Sequence, residues 1–247
     1  MNKLAKLAAA LAVSTLSILP AQAITITAYS NNFDGPVVTA SGVTASLSGA
    51  SVQSVQGLSG LGASGNKFGG NFLSSYGAGS IATLTLSGLP THTGINLTGL
   101  LAALDSWDSS NGGCCSPDFF QITVDGVTVF NDTYNNAAGS VNNAAGLTDI
   151  GAGYVHRGFN GGWLDQAFDL ESELTSLAHT GSTLTIDFLG TGAGWQAGTD
   201  EAWGFDNLLV ELVGVTPPVT GVPEPMTLSL LGAGLAGLGV LRRSRTA

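Results

Sequence analysis

The segment Phe120-Gln-Ile-Thr-Val-Asp-Gly-Val-Thr-Val-Phe130 leaves its backbone little choice. Asp125-Gly126 is the preferred centre of a two-residue type I′ turn, because both central positions need positive φ and the turn's twist matches that of two antiparallel strands. On either side the residues alternate with the period of two that marks a half-buried strand. The turn predicts a register with Val124 opposite Val127, Thr123 opposite Thr128, Ile122 opposite Val129 and Gln121 opposite Phe130. Phe120, Ile122, Val124, Val127 and Val129 then form one face, and Gln121, Thr123, Thr128 and Phe130 the other.

The same alternation sets Ala82, Leu84 and Leu86 on one side of a strand, and Leu184, Ile186 and Phe188 on one side of another. Shorter strand candidates lie at Ile24 to Ala28, Val43 to Leu47, Ile95 to Leu101, Gln166 to Leu170 and Leu208 to Val213. Helical periodicity is scarce between the two ends, with room for one or two turns at Leu170 to Leu177. Many short strands joined by Gly-rich turns predict an all-β fold, an antiparallel β-sandwich over residues 24–213. A linker at 214–221, containing Thr216-Pro217-Pro218, follows it.

The two ends obey different rules. Lys3 and Lys6 precede an apolar run from Leu7 to Leu19 that closes on Ala21-Gln22-Ala23. A charged start, a short apolar centre and an A-x-A site describe a secretory signal peptide over residues 1–23, cut by signal peptidase to leave Ile24 first. At the other end, Met226 to Leu241 carries no charge and is followed by Arg242, Arg243 and Arg245. As a helix this stretch is roughly 24 Å long, just short of a bilayer's hydrocarbon core. The arginines favour the cytoplasmic side and would stop translocation. A buried C-terminal helix is the alternative, but the apolar residues run all around the helix and form no single stripe. Gly232, Gly234 and Gly237 match the glycine pattern of dinucleotide sites only formally, since no strand precedes them and no carboxylate follows at the needed distance.

Pro223-Glu224-Pro225, the apolar helix and the arginine-rich tail occur in that order over residues 222–247, and together they resemble the PEP-CTERM sorting signal of exported Gram-negative bacterial proteins. The resemblance implies a precursor held in the inner membrane by a C-terminal transmembrane helix. It further implies processing by an exosortase-type protease, delivery to the cell surface or outside the cell, and association with exopolysaccharide and biofilm.

Between the ends, Lys67 and Arg157 are the only basic residues, against acids spread from Asp34 to Glu211, and the whole chain carries a formal charge of −10. Such a field repels nucleic acid and anionic lipid, whose binding depends on Lys and Arg. Cys114 and Cys115 are adjacent, which is compatible with a local disulfide, pairing between chains, or two thiols. They lack the C-x-x-C spacing of redox sites, and two thiols alone make a poor metal site.

No G-x-S-x-G, H-E-x-x-H or phosphate-binding loop appears in the mature region. His92, His156 and His179 stand far apart in sequence and read as ordinary surface residues. Two acidic, Trp-bearing segments are more informative: Asp105-Ser-Trp-Asp108, running into Asn111-Gly-Gly, and Asp200-Glu201-Ala-Trp-Gly-Phe-Asp206-Asn207. Carboxylate and amide oxygens beside tight turns suit Ca²⁺, although neither segment has EF-hand spacing. The plainer reading is that the Asp and Asn cap turns while the tryptophans fill the core. A sugar ligand would need an exposed aromatic face ringed by hydrogen-bonding groups, for which Trp107, Trp163 and Trp195 are candidate platforms and Asp108, Asn111 and Asp165 candidate partners.

"DSWD", "DFFQITVDGVTVF" and "DEAWGFDNLLVEL" resemble segments of exported bacterial β-sandwiches of the jelly-roll, carbohydrate-binding or laminin-G-like kind. That resemblance brings no catalytic motif. It implies a structural calcium held by acids of the first and last strands, here Asp34 and Asp206, while the Cys114-Cys115 insertion departs from its pattern. The expected function is that of a non-enzymatic structural or carbohydrate-binding component of exopolysaccharide. A secreted polysaccharide hydrolase is the alternative, and requires two carboxyl groups flanking a cleft.

Overall fold

The computed structural model describes residues 22–54, 61–63, 66–109, 115–136, 148–149, 163, 165–170, 174–217 and 230–235. Ala23–Thr216 form one compact unit, and Met1–Gln22 with Pro217–Ala247 are grouped separately.

Every strand pairing in the β unit is antiparallel. The strands are β1 (Ile24–Asn31), β2 (Val38–Thr39), β3 (Thr44–Ser48), β4 (Ser51–Ser54), β5 (Leu61–Ala63), β6 (Asn66–Phe68), β7 (Asn71–Ser74) and β8 (Ile81–Ser87). They continue with β9 (Gly94–Asp105), β10 (Phe119–Val124), β11 (Val127–Asp132), β12 (Thr148–Asp149), β13 (Gln166–Asp169), β14 (Leu177–Ala178), β15 (Thr183–Thr191) and β16 (Glu201–Val215). One sheet runs β12-β13-β9-β16-β1-β2, with β14 on β9, β7 on β16 and β4 on β7; the second runs β11-β10-β15-β8-β3; β5 and β6 form a separate ribbon.

The two large sheets share one core. Leu84, Leu86, Ile122, Leu184, Ile186 and Phe188 come from the second sheet, and Leu97, Leu101, Trp203, Phe205, Val210 and Leu212 from the first. The rings of Phe188 and Phe205 meet across the interface with centroids 4.8 Å apart. The expected inward faces of β8 and β15 are both buried, and their register sets Phe188 opposite Ala82, so that large meets small. On the outer side, Asp187 accepts from the hydroxyls of Thr83 (2.7 Å) and Thr123 (3.2 Å), tying three neighbouring strands.

Asp125 and Gly126 have φ of 49° and 79°, as the type I′ turn demands. The turn is pinned from outside: Asp125 Oδ1 accepts from the backbone N–H of Thr185, and Oδ2 lies 3.2 Å from His179 Nε2. The register beyond the turn differs from the expected one. Val124 faces Val127 and Thr123 faces Thr128, but Ile122 faces Phe130 and Gln121 faces Asn131. Val129 is the extra residue of a β-bulge, and one extra residue reverses which side chains point inward. Phe130 is therefore in the core, its ring 6.3 Å from that of Phe120, while Val127 beside the turn is 66% exposed.

Three other expectations change. The last strand starts at Glu201, seven residues before the expected Leu208, and a register shift between Asp206 and Leu209, with Asn207 at φ 51°, explains why its first half lacks clean alternation. It also runs to Val215, so Gly214 and Val215 belong to the sheet and not to the linker. Leu177, the last residue of the stretch with room for helical turns, is in strand β14, hydrogen-bonded to β9, while residues 171–173 of that stretch lie outside the described residues. In the C-terminal segment, residues 230–235 are helical and exposed. Among the described residues no helix is long and apolar enough to cross a membrane. The sorting tripeptide Pro223-Glu224-Pro225, the arginines Arg242, Arg243 and Arg245, and Ala21 of the signal cleavage site lie outside the described residues, while Ala23 is exposed just ahead of β1.

The bulge has a measurable consequence. Phe130→Ala should lower unfolding stability by about 3 kcal/mol or more, as for a buried aromatic. Val127→Ala should stay within about 0.5 kcal/mol, as for a surface site. Urea titrations of both variants decide between this register and the unbulged one, which reverses the order.

Candidate functional site

Hydrogen bonding along β9 and β16 places Asp105 directly opposite Glu201 at one end of the sandwich. Just past β9, Trp107 turns inward and is fully buried; its Nε1–H donates to the carbonyl of Ala202 (2.7 Å), and its ring meets Tyr134 and Trp195 edge-on. That anchor directs Asp108 toward the start of β10. The backbone N–H of Asp108 donates to Asp118 Oδ2 (2.6 Å), and the N–H of Asp118 donates back to the Asp108 carbonyl (2.9 Å). A Cβ on Gly194 would lie 2.2 Å from the carbonyl oxygen of Cys115, so only glycine lets the 192–194 turn pack against the chain leading to Asp118.

Asp108, Asp118 and Glu201 thus converge, each offering a carboxylate oxygen within 4.8 Å of the others. Asp118 and Glu201 are completely buried and Asp108 is half-buried. Glu201 Oε2 accepts from the backbone N–H of Gln196, but among the described residues Glu201 Oε1 and Asp118 Oδ1 have no hydrogen-bond partner. Neighbouring Asp200 accepts from the Ser106 hydroxyl at 2.8 Å. Among the described residues no lysine or arginine pairs with any of these four acids.

Burial is the main force on their protonation. It pushes Asp118 up to about 7, helped by the negative charges of Asp108 and Asp200 and opposed by the N–H of Asp108. Glu201 is pushed up to about 7 by burial, with Asp118 and Asp200 adding to it and the N–H groups of Gln196 and Ala197 opposing it. Asp108 is raised by burial and by Asp200.

Asp34 and Asp206 also come together, around the 69–71 turn. Asp34 Oδ1 accepts from the N–H of Asn71 (2.7 Å), Asp206 Oδ2 from Gly69 (2.9 Å) and Asp206 Oδ1 from Asn207 (2.6 Å). Backbone N–H groups therefore meet three of their four oxygens, and this geometry accounts for both acids as a clamp on the turn. Burial pushes Asp206 up to about 7, with the charge of Asp34 adding to it and the two N–H groups opposing it.

The sugar-stacking set disperses. Trp107 is sealed in the core and has no face to offer, which corrects its reading as a platform. Asp165 is buried too, and its Oδ1 accepts from the N–H of Asp105 (2.9 Å), so it is an internal brace and not a surface hydrogen-bonder. Trp195 is half-buried, held by Ser80 through its Nε1–H and lying over Gly190; Trp163 is half-buried as well. Asn111 and Cys114 lie outside the described residues, so the pairing of Cys114 with Cys115 does too; Cys115 is exposed. An open cleft of about 620 Å³ lies elsewhere, lined by Tyr29, Asn31, Thr39 and Thr44 among others, but the Tyr29 ring is buried and offers no stacking face.

Two further residues were misjudged by sequence distance. His92 and His179 are buried and stacked, with Nε2 of the first 2.7 Å from Nδ1 of the second; His156 lies outside the described residues. Asp118 carried no signal of its own, because its role depends on three strand ends meeting.

Comparison with known proteins finds no family model and no curated protein that matches the chain.

The raised carboxyl groups set a pH dependence in chelator. A group protonated in the folded state up to about pH 7 and in the unfolded state only to about pH 4 contributes stability that is complete below pH 4 and is lost as pH rises to 7. Urea midpoints should fall from pH 5 to pH 7 and level off above it. Asp206→Asn should flatten part of that fall, by up to about 1.4 kcal/mol per pH unit.

Proposed function

We propose that this chain is an exported protein of the bacterial cell surface or extracellular matrix, held for a time in the inner membrane and released by an exosortase-type protease. There it serves as a non-enzymatic structural or carbohydrate-binding component of exopolysaccharide. The observation that carries the reading is the extent of the β unit, Ala23–Thr216, which leaves the signal-like and sorting-like segments outside it. A folded domain that needs neither end is what a two-signal export route requires.

The jelly-roll kinship belongs to the same proposal. Its support is the placement of the first long strand, β1, beside the last, β16, within one sheet of a two-sheet sandwich. Sugar binding would rest on Trp163 and Trp195, which keep part of their surface in solvent. The hydrolase alternative is disfavoured by the closest buried carboxyl pair among the described residues. Asp118 and Glu201 lie close enough for a retaining mechanism, but neither exposes any surface, and a glycosidic bond must touch both.

Mass spectrometry of the exported protein tests the traffic. It should begin at Ile24 and end close to Pro223-Glu224-Pro225, and replacing all three motif residues with alanine should leave the membrane-held precursor uncut. An intact chain in the cytosol would overturn the reading. Separately, Trp163→Ala or Trp195→Ala should weaken binding to the producer's own exopolysaccharide at least tenfold by calorimetry. A flat titration with the unaltered protein removes the carbohydrate arm.

A further inference from the structure

The geometry points to a calcium site formed by Asp108, Asp118 and Glu201 that fastens the two sheets together at one end of the sandwich. The residues come from three strand ends: Asp108 follows β9, Asp118 precedes β10 and Glu201 opens β16. β9 and β16 are neighbours in one sheet and β10 belongs to the other, so a shared cation would bridge them.

Two independent observations support a ligand. Oxygens of all three carboxyl groups lie within 4.8 Å of one another. Oxygens on opposite sides of one Ca²⁺ stand about 4.6 to 5.2 Å apart, twice its bond length, whereas around Mg²⁺ they stand about 4.0 to 4.2 Å apart. Oxygens within 4.8 Å of one another fit inside the first sphere, and a set of protein carboxylates suits Ca²⁺ better than Mg²⁺, which keeps several of its waters. The donor set is all oxygen, with no His or Cys in the group, which suits a hard cation and not zinc.

The second observation is that Asp118 Oδ1 and Glu201 Oε1 are fully buried and unpartnered. Buried oxygens of this kind are paired, coordinated or protonated in native proteins. Among the described residues no donor pairs with either oxygen, and Asp200 adds a further negative charge beside them. The choice is therefore between a cation and protons, and the converging geometry favours the cation.

The inference needs only millimolar calcium outside the cell from the export reading. Its test is separate from the terminal-processing test, so either can fail alone. The full-length chain, purified in mild detergent and stripped with chelator, is melted with CaCl₂ or MgCl₂. Calcium at about 100 times its Kd should raise the folding constant about 100-fold and the melting temperature by roughly 5 to 10 °C, with a clearly smaller effect of magnesium at the same concentration. Asp118→Asn and Glu201→Gln should each abolish the calcium response while melting higher than the unaltered protein in chelator, because a buried like charge is gone. Asp34→Asn should keep the full response, which separates this site from the 69–71 clamp.

Should either variant fail to fold, Tb³⁺ serves as the probe on the unaltered chain. Excitation of Trp107, next to Asp108 in sequence, should sensitise Tb³⁺ emission, and Ca²⁺ should quench it by displacement at concentrations where Mg²⁺ does not. Absence of both a calcium-dependent melt and sensitised emission overturns the site. So does a calcium response that persists in Asp118→Asn or Glu201→Gln; stabilisation of those variants with no calcium effect on any form assigns the cluster to shared protons.

Discussion

The antiparallel ladder between β9 and β16 carries the rest of the structure. It joins Gly94–Asp105 to Glu201–Val215 across about half the chain, and each strand is buried along most of its length. On one face Leu101, Trp203, Phe205 and Val210 meet the second sheet; on the other Phe72, Leu100, Ala102 and Leu104 make a smaller cluster. A strand covered on both faces has no polar side to point at water, so its register is held by apolar contacts in both directions. β1 and β7 then share the remaining edge of β16, β7 on its first half and β1 on its second.

The same ladder creates the protein's electrostatic problem. Setting Glu201 opposite Asp105 and packing Trp107 inward brings acidic residues to a point from which water is excluded. Buried carboxylates are costly unless something neutralises them, and residues 24–213 hold only two basic residues. The backbone answers part of this cost through N–H groups on Asp118, Glu201 and Asp206. What remains is met by protons or by a cation, and under the export proposal the protein would move into surroundings where calcium is plentiful. Stability and location would then be linked.

Some features were legible because their causes are local. Asp125-Gly126 demands positive φ wherever it occurs, and Ala82-Leu84-Leu86 and Leu184-Ile186-Phe188 declare their inner faces by alternation alone. The residues offered as ligand contacts were harder to sort. Trp107 and Asp165 looked available to a ligand and are buried; Glu201 sat in a segment read as suited to Ca²⁺, but Asp118, which joins it at the centre of the cluster, was not marked at all. Solvent exposure is a property of what packs above a residue, and nothing adjacent in sequence reports it.

The sequence by itself determined the strand-forming character of the middle, the turn at Asp125-Gly126, and a formal net charge of −10. Each follows from dihedral preference, two-residue periodicity or net charge, which need no knowledge of distant residues. Only the tertiary structure decided that Val129 bulges and turns Phe130 inward, that His92 meets His179, and that Asp108, Asp118 and Glu201 converge. Those outcomes depend on contacts between segments dozens of residues apart, where packing of the two sheets selects one register and one set of neighbours from many that the local chain would accept.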